Sequence, residues 1–205
     1  DIQLVLSHAE LLADAVPDDE RDHVDRVLEQ ATHIVDLTEA VRDLSAVIVE
    51  DTDPELSPVN LGAVLQAETD KLRSAYGSTG KTVTVTGTDA APFDTEVLAN
   101  EMLSSVVGNI LSNAVIHNDS ETPHIDISVD HSPDRVAVTV ADDGPGIPRA
   151  RRERIFDRDE MALDSPGTGL GLYLVDRLVD LYDGSVRVGE SHLGGAAFTV
   201  ELQPA

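Results

Sequence analysis

The spacing of the apolar residues changes along the chain and divides the sequence into two parts. In residues 1–48, apolar side chains recur at every third or fourth position, with one interruption at Pro17-Asp18-Asp19. This spacing predicts two helices joined by a turn, because residues three and four apart share one helix face. The second run keeps the pattern over several heptads, which favours the seam of a coiled coil or helix bundle. The positions concerned are Ile2, Val5, Ala9, Leu12 and Val16, then Val24, Val27, Ala31, Ile34, Thr38, Val41, Ser45 and Ile48.

A hairpin of two helices cannot bury both of its apolar faces by itself. Association of two chains into a four-helix bundle would bury them, so residues 1–50 are predicted to form a dimerisation hairpin and the chain a homodimer. The alternative is a hairpin that packs against the rest of its own chain. Residues 51–58 are rich in proline and acidic side chains and read as a linker to a second domain over 59–205.

Residues 59–205 mix helical spacing with strict alternation. Helices are predicted from the capping residue Asn60 to about Ser74, from Asp94 to about His117, near Arg149–Phe156, and from Leu170 to Asp183 with Gly184 at the C′ position. Strands are predicted over Lys81–Thr86, His124–Asp130, Arg135–Val140, Ser185–Val188 and Ala196–Leu202, the second and third forming an antiparallel hairpin. This order predicts an α+β fold, a two-layer α/β sandwich with a mixed sheet and helices on one face.

The charge of the chain limits its partners. The formal net charge is -25, with 39 acidic residues against 14 Lys and Arg. Such a surface repels nucleic acid and anionic lipid head groups, so neither is expected as a partner. Abundant Asp with scarce Lys resembles proteins of salt-loving archaea, with an ordinary acidic protein as the alternative.

Cysteine is absent, which excludes disulfide and thiol chemistry. The sequence also has no apolar run of the roughly 20 residues that a membrane helix needs. The fragment is therefore expected to be cytoplasmic and without direct membrane contact of its own, which leaves room for a membrane-anchored parent protein.

The first segment with chemical character ends the long helix predicted before His117. Asn109, Asn113 and His117 are four residues apart and share one face of that helix. Polar residues in this position usually face solvent. The functional alternative is a ligand site, because the amide oxygen of Asn113 is a hard ligand suited to Mg²⁺.

The second segment, Asp142–Pro148, follows a predicted strand directly. Its Asp, Gly and Pro residues are ordinary turn formers. Two glycines, Gly144 and Gly146, also allow the backbone to approach a flat ligand closely. The carboxylate of Asp142 at the strand end can accept a hydrogen bond from an exocyclic amine such as that of adenine.

The third segment, Gly167–Leu172, carries three alternate glycines where a helix begins. Backbone N–H groups at a helix N-terminus bind phosphate through unsatisfied donors and the helix dipole. No Gly-Lys-Ser/Thr follows, so this is not a Walker loop, and no strand leads into it as in a dinucleotide fingerprint.

Taken in order, these segments resemble the N, G1, F and G2 boxes of sensor histidine kinases. The boxes read Asn-x-x-x-Asn-Ala, Asp-x-Gly-Pro-Gly-Ile-Pro, Ile-Phe and Gly-Thr-Gly-Leu-Gly-Leu in this sequence. The resemblance covers about residues 55–205, and more loosely the two helices before them. It belongs to the ATPase superfamily that also includes gyrase and the heat-shock and mismatch-repair ATPases.

The resemblance implies ATP and Mg²⁺ as cofactors. Asn113 takes the position of the Mg²⁺-binding Asn, and Asp142 that of the Asp which reads the adenine amino group. Residues 157–166 take the position of the mobile ATP lid. The other positions that it places around ATP are Asn109, His117, Gly144, Gly146, Ile147, Phe156, Arg158, Gly167, Thr168, Gly169, Leu170, Gly171 and Leu172.

In this family a His on the first stem helix accepts the phosphoryl group and passes it to an Asp of a response regulator. Residues 1–6 resemble the segment just after that His, so the acceptor is expected upstream of residue 1. His8 is a weaker candidate, because Ala9-Glu10-Leu11-Leu12 matches the downstream part of the helix. The resemblance thus implies a protein-histidine kinase whose acceptor lies outside this fragment.

Three positions depart from the family pattern and keep an alternative open. Ile116 stands where a Lys is common, Asp143 where an Asn is common, and Ala197 where a Ser or Thr often precedes the Phe. These changes predict weakened nucleotide affinity, or a catalytically degenerate nucleotide-binding module for dimerisation or sensing. ATP hydrolysis is the less favoured alternative, because hydrolases of the superfamily carry a general-base Glu where this chain has Asn109.

Overall fold

The computed structural model describes residues 38, 55–77, 82–87, 95–156 and 170–205. The chain divides into two units, Asp1–Val49 and Glu50–Ala205, and the elements that follow belong to the second. Apart from Thr38, the predicted helical hairpin over 1–50 lies outside the described residues, as do residues 51–54, the first half of the predicted linker. Both assignments, and the domain boundary between them, therefore stay predictions.

Three helices and seven strands form the described part of the second unit. The helices are α1 (Leu61–Gly77), α2 (Leu103–Ile116) and α3 (Leu170–Leu181). The strands are β1 (Ser57–Asn60), β2 (Thr84–Thr86), β3 (Glu96–Ala99), β4 (His124–Ser132), β5 (Arg135–Asp142), β6 (Ser185–Glu190) and β7 (Ala196–Leu202). Two short 3₁₀ turns, Arg149–Arg151 and Arg154–Phe156, take the place of the short helix predicted there.

The main sheet is mixed and has the strand order β2-β4-β5-β7-β6. β2 pairs with β4 in parallel, whereas β4–β5, β5–β7 and β6–β7 are antiparallel pairs. The predicted hairpin of alternating Ile and Val residues is confirmed as β4–β5, in which Ile127 lies opposite Val140. The α+β class with a mixed sheet is likewise confirmed.

The helices cover one face of this sheet and form the core with it. Strand β5 alternates buried Val136, Val138 and Val140 with half-buried residues between them. Side chains of α1 and α2, such as Leu65 and Ile110, line the same small apolar cavity as Val140. Since the aromatic content is only 3%, this core consists mainly of Val, Leu and Ile. Among the described residues, no helix has the length and apolar content that crossing a bilayer requires.

The helix predicted from Asp94 to His117 is wrong in its first part. Glu96–Ala99 form β3, which pairs antiparallel with β1 in a separate two-stranded sheet. The helix α2 begins only at Leu103. Just before it, the side chain of Asn100 accepts a hydrogen bond from the Met102 N–H at 3.0 Å. Backbone pairing with β1, a strand far earlier in the sequence, overrides the helical spacing of this segment.

Two helix ends show why the boundaries fall where they do. The side chain of Asn60 accepts a hydrogen bond from the Ala63 N–H at 2.8 Å, so its predicted capping role is confirmed. At the end of α3 the prediction of Gly184 as the left-handed C′ residue is wrong, because Asp183 takes that conformation with φ of 50°. Gly184 follows it and donates to the Val179 carbonyl at 2.9 Å. A Cβ atom on Gly184 would overlap the carbonyl oxygen of Glu201, so close packing accounts for this glycine.

Candidate functional site

The helix α2 carries the amide-bearing residues of the first motif. Its core side is formed by apolar residues such as Ile110 and Leu111, while Asn109 and Asn113 are half-buried on another side. His117 directly follows the helix, and its N–H donates to the Asn113 carbonyl at 3.2 Å. Asn109 and Asn113, four residues apart, therefore lie on the same side of the helix, and His117 follows its last turn.

Asn109 forms a close contact with the beginning of α3. Its side-chain nitrogen donates to the Ser105 carbonyl at 2.7 Å. A Cβ atom added to Gly171 would overlap the Asn109 side-chain oxygen, so only glycine fits there without a shift. This contact joins the first motif to the third, although the two residues are far apart in the sequence.

Asp142 is the last residue of the central strand β5, and only 7% of it is exposed. Its Oδ1 accepts two backbone hydrogen bonds, from Gly144 at 2.9 Å and from Ala196 at 3.0 Å. Its own carbonyl accepts a third from the Gly195 N–H at 3.1 Å. Asp142 is thus held by the start of its own loop and by the residues that begin β7.

The electrostatic surroundings of Asp142 and His117 act in opposite directions. Burial raises the pKa of Asp142; hydrogen bonds from Ala196 and Gly144 oppose that rise, and the neighbouring Asp143 adds to it. The pKa of His117 is lowered, first by burial of its ring and then by Arg151, while Asp142 acts against both. Since His117 ordinarily titrates near 6.5, the lowered pKa favours the neutral ring at neutral pH.

Asp143 has a different role from its neighbour. Its Oδ1 accepts hydrogen bonds from the Asn118 side chain at 2.7 Å and from the His124 N–H at 2.9 Å. Burial alone would raise the pKa of Asp143, but these hydrogen bonds outweigh it and lower the pKa. The carboxylate therefore fastens the end of α2 to the start of β4.

We expect Asp143→Ala to lower the free energy of unfolding at pH 7 by about 2 kcal/mol, because Asn118 and His124 both lose a charged acceptor. Since the pKa of Asp143 is lower in the folded state, its stabilisation is present above the ordinary value near 3.8 and is lost as pH falls through the folded pKa. Urea unfolding between pH 3 and 7 measures both effects. In the matched Asp143→Asn variant, most of the stability at pH 7 should remain, because the amide oxygen still accepts. Equal stability of Asp143→Ala and the unchanged protein would contradict this role.

The glycine-containing loop after Asp142 is fastened at its far end. Gly146 has a φ of 71°, which glycine adopts without strain. The carbonyl of Ile147 accepts a hydrogen bond from Arg152 at 2.9 Å, and Arg152 also pairs with Glu190 at the end of β6 at 3.2 Å. The loop between Asp142 and Arg152 is therefore anchored to the sheet at both ends, at β5 through Asp142 and at β6 through Glu190.

Phe156 and Gly144 mark two further contacts around the site. The ring of Phe156 packs edge-to-face on Phe198 of β7, with centroids 6.4 Å apart and an interplanar angle of 88°. A Cβ atom on Gly144 would lie 3.4 Å from the His117 carbonyl oxygen. The loop after β5 therefore contacts the end of α2 directly, and Phe156 connects the second 3₁₀ turn to the main sheet.

The structure brings together most of the predicted site residues. Asn109 of α2 lies against Gly171 at the start of α3. His117, the residue after α2, lies beside Gly144 in the loop that follows Asp142. Arg158 and residues 157–169, which include Gly167, Thr168 and Gly169, lie outside the described residues, so their predicted roles stay predictions.

The structure shows the surroundings of two positions that depart from the family pattern, Ile116 and Ala197. Ile116 is an exposed large hydrophobic residue, 40% accessible, beside His117. Ala197 pairs with Ala141 in the sheet, but the hydrogen bond to Asp142 comes from its predecessor Ala196. The residue of β7 that contacts Asp142 is therefore Ala196.

Sequence reasoning missed three residues that hold the site. Asn118, Gly195 and Ala196 contact Asp142 or Asp143 directly. The signal that could have drawn notice is the pair Gly194-Gly195 between two predicted strands, which indicates a tight turn. The contacts themselves are mostly made by backbone groups, which leave no pattern in the side chains.

A Mg²⁺ ion fits this arrangement through few protein ligands. Within the described residues there is no group of three or more His, Asp or Glu side chains that could hold a metal. Mg²⁺ commonly uses one or two protein oxygens and takes the rest from phosphates and water. The half-buried amide of Asn113 on α2 suits that pattern.

Comparison with known proteins agrees with this site. The family described as "Histidine kinase-, DNA gyrase B-, and HSP90-like ATPase" matches residues 99–205, more than half of the chain. The sensor protein PhoQ of Escherichia coli K12 is 34% identical over 148 residues, which are 71% of this chain and 29% of PhoQ. The virulence sensor histidine kinase PhoQ of Salmonella typhimurium LT2 is 37% identical over 97 residues, 46% of this chain and 19% of that protein. The chain thus spans less than a third of the length of these relatives.

Solved structures share this fold. Full-length ShkA in complex with AMPPNP matches with a TM-score of 0.66 and 27% identity, over 100% of this chain and 43% of that one. The catalytic domain of histidine kinase ThkA in a nucleotide-free form gives a TM-score of 0.63 at 22% identity, over 73% of this chain and 96% of that domain. The sequence motifs, their convergence at one end of the sheet and these matches lead to one conclusion. The chain belongs to the histidine kinase-, DNA gyrase B- and HSP90-like ATPase family and contains an ATP-binding catalytic domain of the histidine kinase type.

Proposed function

We propose that this chain is the catalytic part of a sensor histidine kinase core, which binds Mg²⁺-ATP and transfers the γ-phosphoryl group to a His upstream of residue 1. A response-regulator Asp then takes the phosphoryl group. The contacts that carry this proposal join the three motifs: Asn109 of α2 lies against Gly171 of α3, and Gly144 in the loop after Asp142 lies against the His117 carbonyl. In phosphoryl transfer of this kind the protein supplies position and charge stabilisation.

Each part of the site has a place in that reaction. Asp142 would accept a hydrogen bond from the adenine amino group, and Asn113 would supply an oxygen ligand to Mg²⁺. The N–H groups at the start of α3, and the loop glycines predicted before it at Gly167–Gly169, would bind the phosphates, because the helix dipole favours negative charge there. Phe156 packs on Phe198, and residues 157–166, the predicted ATP lid, follow it in the sequence.

The surroundings of Asn109 favour transfer to a protein over hydrolysis. Hydrolases of this superfamily use a carboxylate at this position as the general base for water. Here the Asn109 amide cannot take a proton, and it is engaged by the Ser105 carbonyl and by packing against Gly171.

The second candidate is a nucleotide-binding module for dimerisation or sensing that no longer transfers phosphate. The observation that favours it is Ile116, an exposed hydrophobic residue where the family commonly has a cation. Asp143 accepts hydrogen bonds from Asn118 and His124, which give this carboxylate a structural role and leave its negative charge in place. We propose that Arg158 or His117 supplies the missing contact to phosphate.

Further parts of the proposal concern the intact protein. Residues 1–50 would form half of a dimeric four-helix bundle, and the assembly would be cytoplasmic in a parent protein that is compatible with a membrane anchor. With a net charge of -25, the fold would gain stability from salt, which shortens the Debye length to roughly 3 Å at 1 M.

Calorimetric titration with ATP, with and without Mg²⁺, tests binding. We expect Mg²⁺-dependent binding by the unchanged chain and a loss of affinity of at least roughly 10-fold in Asn113→Ala, because one oxygen ligand disappears. The control is Gln66→Ala on the exposed side of α1, which should bind as the unchanged chain does. Absence of ATP binding by the unchanged chain would refute the proposal.

Phosphotransfer is tested on a chain extended upstream to include the expected His. Labelled ATP and Mg²⁺ should produce acid-labile phosphate on the extended chain, and replacement of that His should remove the label. ATP binding without any label would favour the degenerate module. Steady release of inorganic phosphate without protein labelling would favour hydrolysis.

A further inference from the structure

The turn between β6 and β7 lies directly against the base-reading carboxylate. This β6–β7 turn, residues 191–195, is closed by a hydrogen bond from the Ser191 N–H to the Gly195 carbonyl at 3.0 Å. Immediately after it, Ala196 donates its N–H to Asp142 Oδ1 at 3.0 Å. Neither Gly195 nor Ala196 belongs to the motifs that identified the site.

Residue 195 fits in this position only because glycine has no side chain. An added Cβ atom would overlap Asp142 Oδ1 and would lie 2.6 Å from both the Asp142 carbonyl oxygen and the Gly144 nitrogen. Two of these three atoms belong to the backbone, which cannot move aside as a flexible side chain can. The turn and the carboxylate therefore occupy positions that depend on each other.

The β6–β7 turn is also fastened to the loop on the other side of Asp142. The Gly195 carbonyl lies against Gly146, where a Cβ atom would come within 3.3 Å of it. Arg152 connects the Ile147 carbonyl to Glu190, the last residue of β6 before the turn. Ser191 is 9% exposed, and its hydroxyl accepts from the Leu193 N–H at 3.0 Å. The turn is thus well supported where it meets Asp142.

The two donors on Asp142 select one of its oxygens. Gly144 and Ala196 both donate to Oδ1, and within the described residues no hydrogen bond reaches Oδ2. The geometry leaves Oδ2 as the acceptor for a ligand and prevents the carboxyl group from exchanging its two oxygens freely.

We propose that the β6–β7 turn determines the base specificity of the site, with Gly195 as the positioning residue that lets Gly144 and Ala196 hold Oδ1 while Oδ2 faces the purine. This inference rests on the proposed binding of ATP. The backbone N–H groups then fix which oxygen of Asp142 faces the ligand. The substituent preferred at the 6-position of the purine is an amine, because only a hydrogen-bond donor satisfies Oδ2.

The Asp142→Asn variant separates this arrangement from a freely rotating side chain. If the two N–H donors hold one oxygen, the amide oxygen of the substituted side chain must take that place and its NH₂ group must face the ligand. The NH₂ group of the substituted side chain then faces the 6-amino group of ATP, and both are hydrogen-bond donors. A 6-oxo group in the same place can accept a hydrogen bond from that NH₂ group. The variant should therefore prefer inosine triphosphate, which differs from ATP in having a 6-oxo group and N1–H.

The test measures dissociation constants for ATP and inosine triphosphate. The unchanged chain should prefer ATP by roughly 100-fold, because an unpaired buried polar group is costly. Asp142→Asn should reverse the preference. Gly195→Ala should bind ATP more weakly and lose at least roughly 10-fold of the preference. The matched control Gly189→Ala, where an added Cβ atom meets nothing within 4 Å, should keep both affinities.

A double-mutant cycle shows whether Gly195 acts through Asp142. Once Asp142→Ala has removed the carboxylate, adding Gly195→Ala should leave the ratio of the two affinities unchanged, since no oxygen remains to be positioned. An additive loss of preference would show a role unrelated to Asp142 and overturn the proposal.

The remaining outcomes are equally decisive. If the unchanged chain binds ATP and Asp142→Asn keeps preferring ATP, position 142 rotates freely and the inference fails while the proposed function stands. Because Asp142→Asn keeps the shape of the side chain, this arm also decides the matter should Gly195→Ala not fold. If the unchanged chain binds no ATP, the proposed function fails and this inference with it.

Discussion

Replacement of Tyr182 by Ala is expected to lower the free energy of unfolding by about 4 kcal/mol, which is in the range measured for removal of large buried rings. Tyr182 is fully buried at the end of α3. Its hydroxyl donates to the Asn100 side chain at 2.6 Å. Asn100 also accepts from the Met102 N–H, just before α2 begins. Tyr182 therefore links the end of one helix to the start of another.

The matched variant Tyr182→Phe separates the ring from the hydroxyl. It keeps the buried ring and loses one hydrogen bond, so we expect a cost of about 1 kcal/mol. Urea unfolding followed by circular dichroism measures both variants. A similar cost for the two would mean that the link to Asn100, and not the burial of the ring, provides the stability, contrary to this account.

Gly171→Ala is expected to damage both stability and nucleotide binding. The added Cβ atom would overlap the Asn109 side-chain oxygen, and overpacking of this kind costs about 1–3 kcal/mol. Displacement of the first turn of α3 would also move the N–H groups proposed to face the phosphates. We expect the affinity for Mg²⁺-ATP to fall by at least roughly 10-fold, since those donors and the helix dipole would be misdirected.

A second change tests the cause of this effect. Asn109→Ala removes the atoms that the new Cβ atom meets, so the double variant should recover most of the stability that Gly171→Ala loses. Unfolding midpoints and calorimetric ATP titrations of the two single variants and the double variant give the coupling. Independent, additive losses would show that the Asn109–Gly171 contact does not limit the approach of α3 to α2. Gly189→Ala, at an open position of β6, controls for the general effect of Gly→Ala.

The sequence predicted best those elements whose own side chains show which residues face the core or cap a helix. The strand β7 has the predicted bounds, Ala196–Leu202, because Phe198, Val200 and Leu202 alternate into the core. The capping role of Asn60 was also readable, since a side chain performs it. Local chemistry alone specifies such features.

The strand β3 could not be predicted in this way. Val97 and Leu98 fit the helical spacing of the residues that follow, and so short a strand gives alternation too few positions to be distinctive. The strand is stabilised by β1 and by Gln203 near the C-terminus, whose carbonyl accepts from the Leu98 N–H at 2.9 Å. Partners so far apart in sequence are visible only once the chain has folded.

The same limit applies to the site. The motifs named Asn113, Asp142 and Gly171 from the sequence, and the structure brings their segments together, while the roles given to them stay predictions. Two adjacent carboxylates, Asp142 and Asp143, look equivalent in the sequence. Their pKa values nevertheless move in opposite directions, because burial dominates at one and hydrogen bonds dominate at the other.

The two hairpin turns of the main sheet offer unequal places for attaching a probe. Residues Pro133 and Asp134 between β4 and β5 are exposed. Among the described residues, no hydrogen bond or ion pair joins either of them to the site. Exposed turns of this kind tolerate insertions. The turn before β7 also joins two antiparallel strands, yet it lies against Asp142. A fluorescent reporter meant to leave the nucleotide site intact therefore belongs at the first turn, and one meant to sense occupancy belongs beside the second.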